Sequence, residues 1–136
     1  MSKIEYQTDL YYILVEKNKN LILIRPIGFW DSAADVSDYL PTIRHALDHE
    51  LEDHFSVICD LHEMKSASKE IRDGIHAQAG LEVLKRNVRV TVFVSPESAI
   101  TRMQIEHLRK IHVQKPIKQV ATLQEAYDFI DAYQPK

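Results

Sequence analysis

The chain has 136 residues, the length of one domain, since domains commonly run about 100–150 residues. An apolar share of 45% and a charged share of 27% are those of a folded globular protein and exclude a disordered or collagen-like chain. The net charge of −3 argues against nucleic acid as the main partner, because phosphate binding needs a concentrated basic surface.

Leu10 to Glu16 is rich in β-branched and aromatic residues and predicts a strand; Leu21 to Ile27 predicts a second. The polar Lys17-Asn18-Lys19-Asn20 between them suits a tight turn, which makes the pair a β-hairpin. Pro26 places the second strand at an edge or ends it there. Asp31-Ser32 is a helix-start signal, and Val36, Leu40, Ile43 and Leu47 follow as one apolar stripe. Pro41 kinks that helix or divides it in two, because proline lacks the N–H and clashes with the preceding turn.

Phe55 to Cys59 reads as a short buried strand and Asp60 to Lys65 as a loop. Ser66 or Ser68 then caps a helix carrying Ile71, Ile75, Leu81 and Leu84. Val88 to Val94 is the clearest strand. Ser95-Pro96-Glu97 opens a helix marked by Ile100, Met103, Leu108 and Ile111. Pro116 restarts the chain into a strand over Ile117 to Val120, and Thr122-Leu123-Gln124-Glu125 is a capping box for a last helix with Ala126, Phe129 and Ile130. The order ββαβαβαβα predicts an α/β fold over residues 1–136, a mostly parallel sheet with right-handed crossovers and an antiparallel edge strand from the opening hairpin.

Cys59 is the only cysteine, so no internal disulfide forms, which points to a reducing compartment. Inside Phe55-Ser56-Val57-Ile58-Cys59 it reads as a small buried hydrophobe rather than a reactive thiol. The longest apolar run, Leu10 to Val15, is far below the ~20 residues a membrane helix needs. The first residues hold Glu5, Gln7 and Asp9 and no apolar core of a signal peptide, so cytoplasm is the expected location.

In this order of elements the chain resembles the STAS group, the anti-sigma-factor antagonist domains and their divergent bacterial relatives. The resemblance spans roughly residues 9–133. It rests on the hairpin, on a helix with a proline in its middle (Tyr39-Leu40-Pro41-Thr42-Ile43), on Val57-Ile58-Cys59-Asp60-Leu61 closing a strand, and on the late strand with its capped helix. It implies a non-catalytic regulator of bacterial signalling that binds a protein, either a kinase-like anti-sigma factor or a second copy of itself. Such antagonists are switched by phosphorylation of a serine at a helix start within an Asp-Ser-Ser-Gly type motif. Asp60-Leu61 matches the strand end, but the loop continues His62-Glu63-Met64-Lys65-Ser66-Ala67-Ser68-Lys69, so the place is kept and the motif is lost. Some of this divergent branch is grouped with lipid-exchange domains, which gives the alternative of an apolar-ligand carrier.

Ligands gather beyond the carboxyl ends of parallel strands. There the sequence offers an interaction loop, His62, Glu63, Met64, Lys65, Ser66, Ser68 and Lys69, and a candidate pocket at Phe29, Trp30, Asp60 and Ser95. A phosphate on Ser66 or Ser68 would lie near a helix N-terminus with Lys65 and Lys69 beside it; the plainer reading is a capping serine. Phe29 and Trp30 wall a pocket, form an oligomer contact, or simply pack in the core. Asp60, His62 and Glu63 are an acid–base candidate near Cys59, yet neighbours along a strand point to opposite faces and no third orienting residue presents itself. His45 and His49 have a metal-compatible spacing, with Glu50, Asp53 and His54 nearby, but Ala46 stands where a zinc-protease motif has glutamate. The seven acids from Asp31 to Asp53, against Arg44 alone, read as a solvated helix face and second as a docking surface. No catalytic residue, metal or cofactor is expected.

Overall fold

The computed structural model describes residues 3–30, 32–65, 71–95 and 116–133. Six strands, β1 (Lys3–Gln7), β2 (Tyr11–Glu16), β3 (Leu21–Pro26), β4 (Phe55–Asp60), β5 (Val88–Val94) and β6 (Ile117–Val120), form one sheet in sequence order. β1, β2 and β3 pair antiparallel, whereas β3/β4, β4/β5 and β5/β6 are parallel. The co-directional pairing of Phe55–Asp60 with Val88–Val94, on which the α/β reading depended, is therefore present.

The hairpin of β2 and β3 turns through a 3-10 turn at Lys17–Lys19 that ends on Asn20 in the left-handed region (φ 50°). The sequence reading missed β1, which makes the opening a three-stranded meander and moves the edge from the predicted hairpin to Lys3–Gln7. Pro26 ends β3 rather than marking an edge. Its partner is Tyr11, and the ladder to β4 has already stopped at Ile24–Cys59, so its missing N–H leaves no bond unmade.

Pro41 divides the first helical region. A 3-10 turn (Ala33–Val36), capped by the Ser32 hydroxyl accepting from the Ala34 N–H at 3.2 Å, precedes helix α1 (Tyr39–His45). Pro41 falls in the first turn of α1, where backbone N–H groups have no intrahelical partner anyway. A π-helical turn (Ala46–Glu50) continues α1, and another (Arg72–His76) leads into α2 (Ala77–Leu84). In α2 the buried face carries Ala79 and Val83 four apart, so Leu81 falls off the stripe and is exposed. The last helix, α3 (Leu123–Ala132), opens as predicted: Thr122 Oγ1 accepts from the Glu125 N–H at 3.1 Å. The helix expected after Ser95, with Ile100, Met103, Leu108 and Ile111, lies outside the described residues.

Two apolar clusters sandwich the sheet. On one face Tyr11, Ile13, Ile22, Ile24, Val57 and Val88 meet Val36, Tyr39, Ile43 and Leu47 of the first helical region and Ala79 and Val83 of α2. On the other Leu14, Leu23, Ile58, Val90 and Val92 meet Ala126 and Ile130 of α3. Ion pairs fasten α1 to α2: Glu82, 5% exposed, takes Arg44 at 2.8 Å and Arg86 at 2.9 Å, while Arg86 also reaches Asp48 at 2.9 Å. Asp48 of the acidic segment is thus paired, whereas Asp35 and Asp38 are exposed as a solvated face requires.

Two buried groups give the fold an acid-sensitive profile. Hydrogen bonds from Arg86 and then Arg44 lower the Glu82 carboxyl to about 2 from an ordinary 4.5. Burial lowers His76 to about 4 from an ordinary 6.5; its Nε2 is buried with no hydrogen-bond partner among the described residues. In both cases the unfolded chain binds protons first, so stability is full above the ordinary values and falls with pH. We expect melting temperature to be flat above about pH 6.5 and to fall between 6.5 and 4 as His76 charges only in the unfolded chain. A second loss follows between 4.5 and 2 through Glu82. The first window is worth about 2 kcal/mol from pH 7 to 5, and thermal melts of His76→Phe, which keeps a ring there, should lack it; an unchanged upper slope would refute the assignment.

Candidate functional site

The carboxyl ends of β3, β4 and β5 lie side by side, and the segments leaving them are tied together by backbone bonds. The Leu61 N–H donates to Val94 C=O at 2.8 Å, and the Ser95 N–H to Val120 C=O at 3.2 Å. Gly28 donates to Glu63 C=O at 2.9 Å and accepts from the Lys65 N–H at 3.0 Å, forming a parallel bridge with Met64. Gly28 does this at φ +73°, a conformation a side chain would strain. Residues 61–65 are therefore a shelf pinned on two sides rather than a free loop.

One buried carboxylate sets the polar side of this shelf. Asp60 ends β4 with 0% exposure; its Oδ2 accepts from Arg25 Nε at 3.0 Å. Its Oδ1 accepts from the His62 N–H at 3.2 Å and also contacts His62 Nδ1. His62 Nε2 then faces Glu63 Oε1 at 3.4 Å. The chain turns after Asp60, and this turn brings the backbone N–H and the ring of His62 within reach of that carboxylate. Arg25, 35 residues upstream, is the orienting residue that spacing could not reveal; it stacks over Tyr12 at 5.4 Å.

Cys59 packs with Leu61, Phe93 and Met64, apart from this pair. Burial, with a smaller contribution from Asp60, pushes its thiol up to about 12, which keeps it protonated near neutrality.

The candidate pocket residues do not form one wall. Trp30 is 1% exposed and belongs to the core: its indole N–H donates to Leu10 C=O at 2.9 Å and Ile27 C=O at 3.2 Å. Its ring meets Tyr39 edge-on at 4.8 Å and stacks on His76 at 4.7 Å. Phe29, by contrast, is 60% exposed. Asp60 and Ser95 are both buried. On the shelf Lys65 is exposed, and His62 and Glu63 are 44% and 42% exposed. Ser66, Ser68 and Lys69 lie outside the described residues.

His45 and His49 stand 5.0 Å apart between ring centres, with Glu50 4.0 Å from His45 Nε2. Among the described residues no group of three or more His, Cys, Asp or Glu side chains is arranged to hold a metal ion. No helix among them is long and apolar enough to cross a membrane.

A sheet with an antiparallel opening, a parallel remainder and helices on both faces, and with its ordered loop at the carboxyl rim, defines a STAS-like α/β fold. Among solved structures the chain is similar to the anti-sigma factor antagonist SpoIIAA in its unphosphorylated form, with 17% identity, a TM-score of 0.53, and coverage of 96% of this chain and 99% of that one. No protein-family model matches the sequence, and no curated protein matches it. The likeness at this identity establishes the fold.

Proposed function

We propose that residues 1–136 form one STAS-like domain that acts in the cytoplasm as a non-catalytic regulatory module of bacterial signalling. Its partner is a protein, docked at the carboxyl rim of the sheet. The observation that carries this reading is the pinned shelf of residues 61–65 beside Phe29, an aromatic left 60% exposed on a backbone held at both neighbours, Gly28 and Trp30. An exposed aromatic that is already ordered gives up little conformational entropy on binding, which is the property of an interface anchor. Lys65, His62 and Glu63 give the surrounding rim a polar character. The fold shared with an anti-sigma factor antagonist supports a partner of the anti-sigma-factor kinase class. Ser66 or Ser68 is then the regulatory position, next to the shelf in sequence.

The carrier alternative finds no support in this arrangement, because Trp30 is spent on core packing and Phe29 faces solvent.

The test is affinity purification from the native host at native expression, comparing the wild type with Phe29→Ser and Lys65→Glu. A specific protein recovered with the wild type and lost at least tenfold with either variant is the expected result. Equal recovery with both variants, or no partner under any growth condition, would refute docking at this rim. Phosphopeptide mapping across Leu61 to Arg72 checks the serine assignment separately.

A further inference from the structure

The edge of the sheet at β1 carries an inference independent of the rim. Among the described strands β1 pairs only with β2, and its outward residues Lys3, Glu5 and Gln7 are exposed. Bonds in an antiparallel ladder alternate from residue to residue. The Thr8 N–H donates to Tyr11 C=O at 2.9 Å, and this bond sets the phase of the β1/β2 ladder. Ile4 and Tyr6, opposite Val15 and Ile13, turn their N–H and C=O groups toward β2. Lys3, Glu5 and Gln7 turn theirs away, leaving a row of backbone donors and acceptors that no other described strand takes up.

A second copy related by a two-fold axis through the sheet can bond to that row only if outward residues oppose outward residues. Three registers satisfy this rule while engaging at least two outward residues of each copy. Centred on Glu5, two glutamates face each other, and like charges directly opposite are destabilising. Centred on Tyr6, Glu5 meets Gln7 and Lys3 has no partner. Centred on Ile4, Lys3 of each copy faces Glu5 of the other, giving two opposite-charge pairs, and Ile4 meets Ile4 on the other face. A lysine on an edge strand ordinarily deters pairing; here a glutamate two residues on makes the same edge complementary to itself. Lys3 Nζ currently sits 3.5 Å from Glu16 with its side chain 59% exposed, so it has donors left for a second carboxylate.

We propose that the chain self-associates through β1 in the antiparallel register centred on Ile4, joining two six-stranded sheets into one. With three β1 residues per copy, Lys3, Ile4 and Glu5, lying opposite one another, the dimer is transient, below the size of stable interfaces.

Sedimentation velocity of the full chain, run from micromolar to near-millimolar concentration at low salt, tests this. The expected mass rises from 15.8 kDa toward twice that value, with concentration-dependent protection of the Lys3 and Glu5 amides from deuterium exchange. Glu5→Lys sets like charges opposite and should abolish the rise, and the double exchange Lys3→Glu with Glu5→Lys should restore it. Glu5→Pro removes an N–H that β2 does not use, so it should leave the melting temperature within a few degrees while keeping the chain monomeric. A wild type that is monomeric throughout, or a dimer that survives Glu5→Pro and Glu5→Lys, would overturn the proposal.

Discussion

Trp30→Ala lowers the free energy of unfolding by about 4 kcal/mol, because deleting a large buried aromatic removes its transfer energy and leaves a cavity. The site cannot collapse easily. Tyr39 and His76 stand on two sides of the indole at 4.8 and 4.7 Å, and the indole N–H is donated to the carbonyls of Leu10 and Ile27. The loss therefore reaches four elements at once: the turn before β2, the exit from β3, helix α1 and the π-helical turn before α2. Trp30→Phe keeps most of the apolar volume but drops the donor, and should cost about half as much. Urea unfolding followed by circular dichroism measures both, since Trp30 is the only tryptophan and its fluorescence is lost with it. A loss below about 1 kcal/mol for Trp30→Ala would show that the indole is not the wedge described here.

Asp60→Ala is the second large effect, about 3 kcal/mol or more, since removing one member of a buried ion pair strands the other. Asp60 is 0% exposed, and the Arg25 guanidinium that it accepts from is 21% exposed, so water relieves only part of the lost pairing. Stability is one of two expected changes. Asp60 also holds the backbone and ring of His62, so amide exchange across residues 61–65 should accelerate in the variant relative to β5. Asp60→Asn keeps the shape and one acceptor and should fall between the two. A stability loss without faster exchange in the shelf would separate the ion pair from the ordering of the loop.

Several elements were legible in the chain because their cause is local. Thr122-Leu123-Gln124-Glu125 starts a helix wherever it occurs, and its hydroxyl caps the Glu125 N–H as expected. The valines of Val88–Val94 are β-branched throughout and form the strand with the most complete burial after its first turn of alternation. Pro41 could be read as a divider because the missing N–H acts on its own helix. β1 escaped notice because Lys3-Ile4-Glu5-Tyr6-Gln7 offers two half-buried apolar residues in five, a pattern too short and polar to stand out from an unstructured lead-in.

The rim shows the same division. Its position followed from parallel strands ending together, and His62 to Lys65 do lie there. Its internal chemistry did not follow. Phe29 and Trp30 are adjacent in sequence and were read together, yet one is core and the other surface, a choice made by where Tyr39 and His76 pack. The acid–base group of Asp60 and His62 lacked an orienting residue until β3 was laid beside β4, which brings Arg25 to Asp60.

What the amino-acid sequence determined alone was the kind and order of most elements and the end of the sheet at which loops converge, because periodicity, capping and proline act over a few residues. Tertiary structure alone decided that Lys3–Gln7 is the open edge, that Asp60 is a buried counter-ion and that Gly28 clamps the shelf. The first depends on which strand, among those described, has no neighbour beyond β2, and the other two on partners 35 or more residues away along the chain. Contacts of that range are settled by how sheet and helices share one core, and no local pattern of residues carries that information.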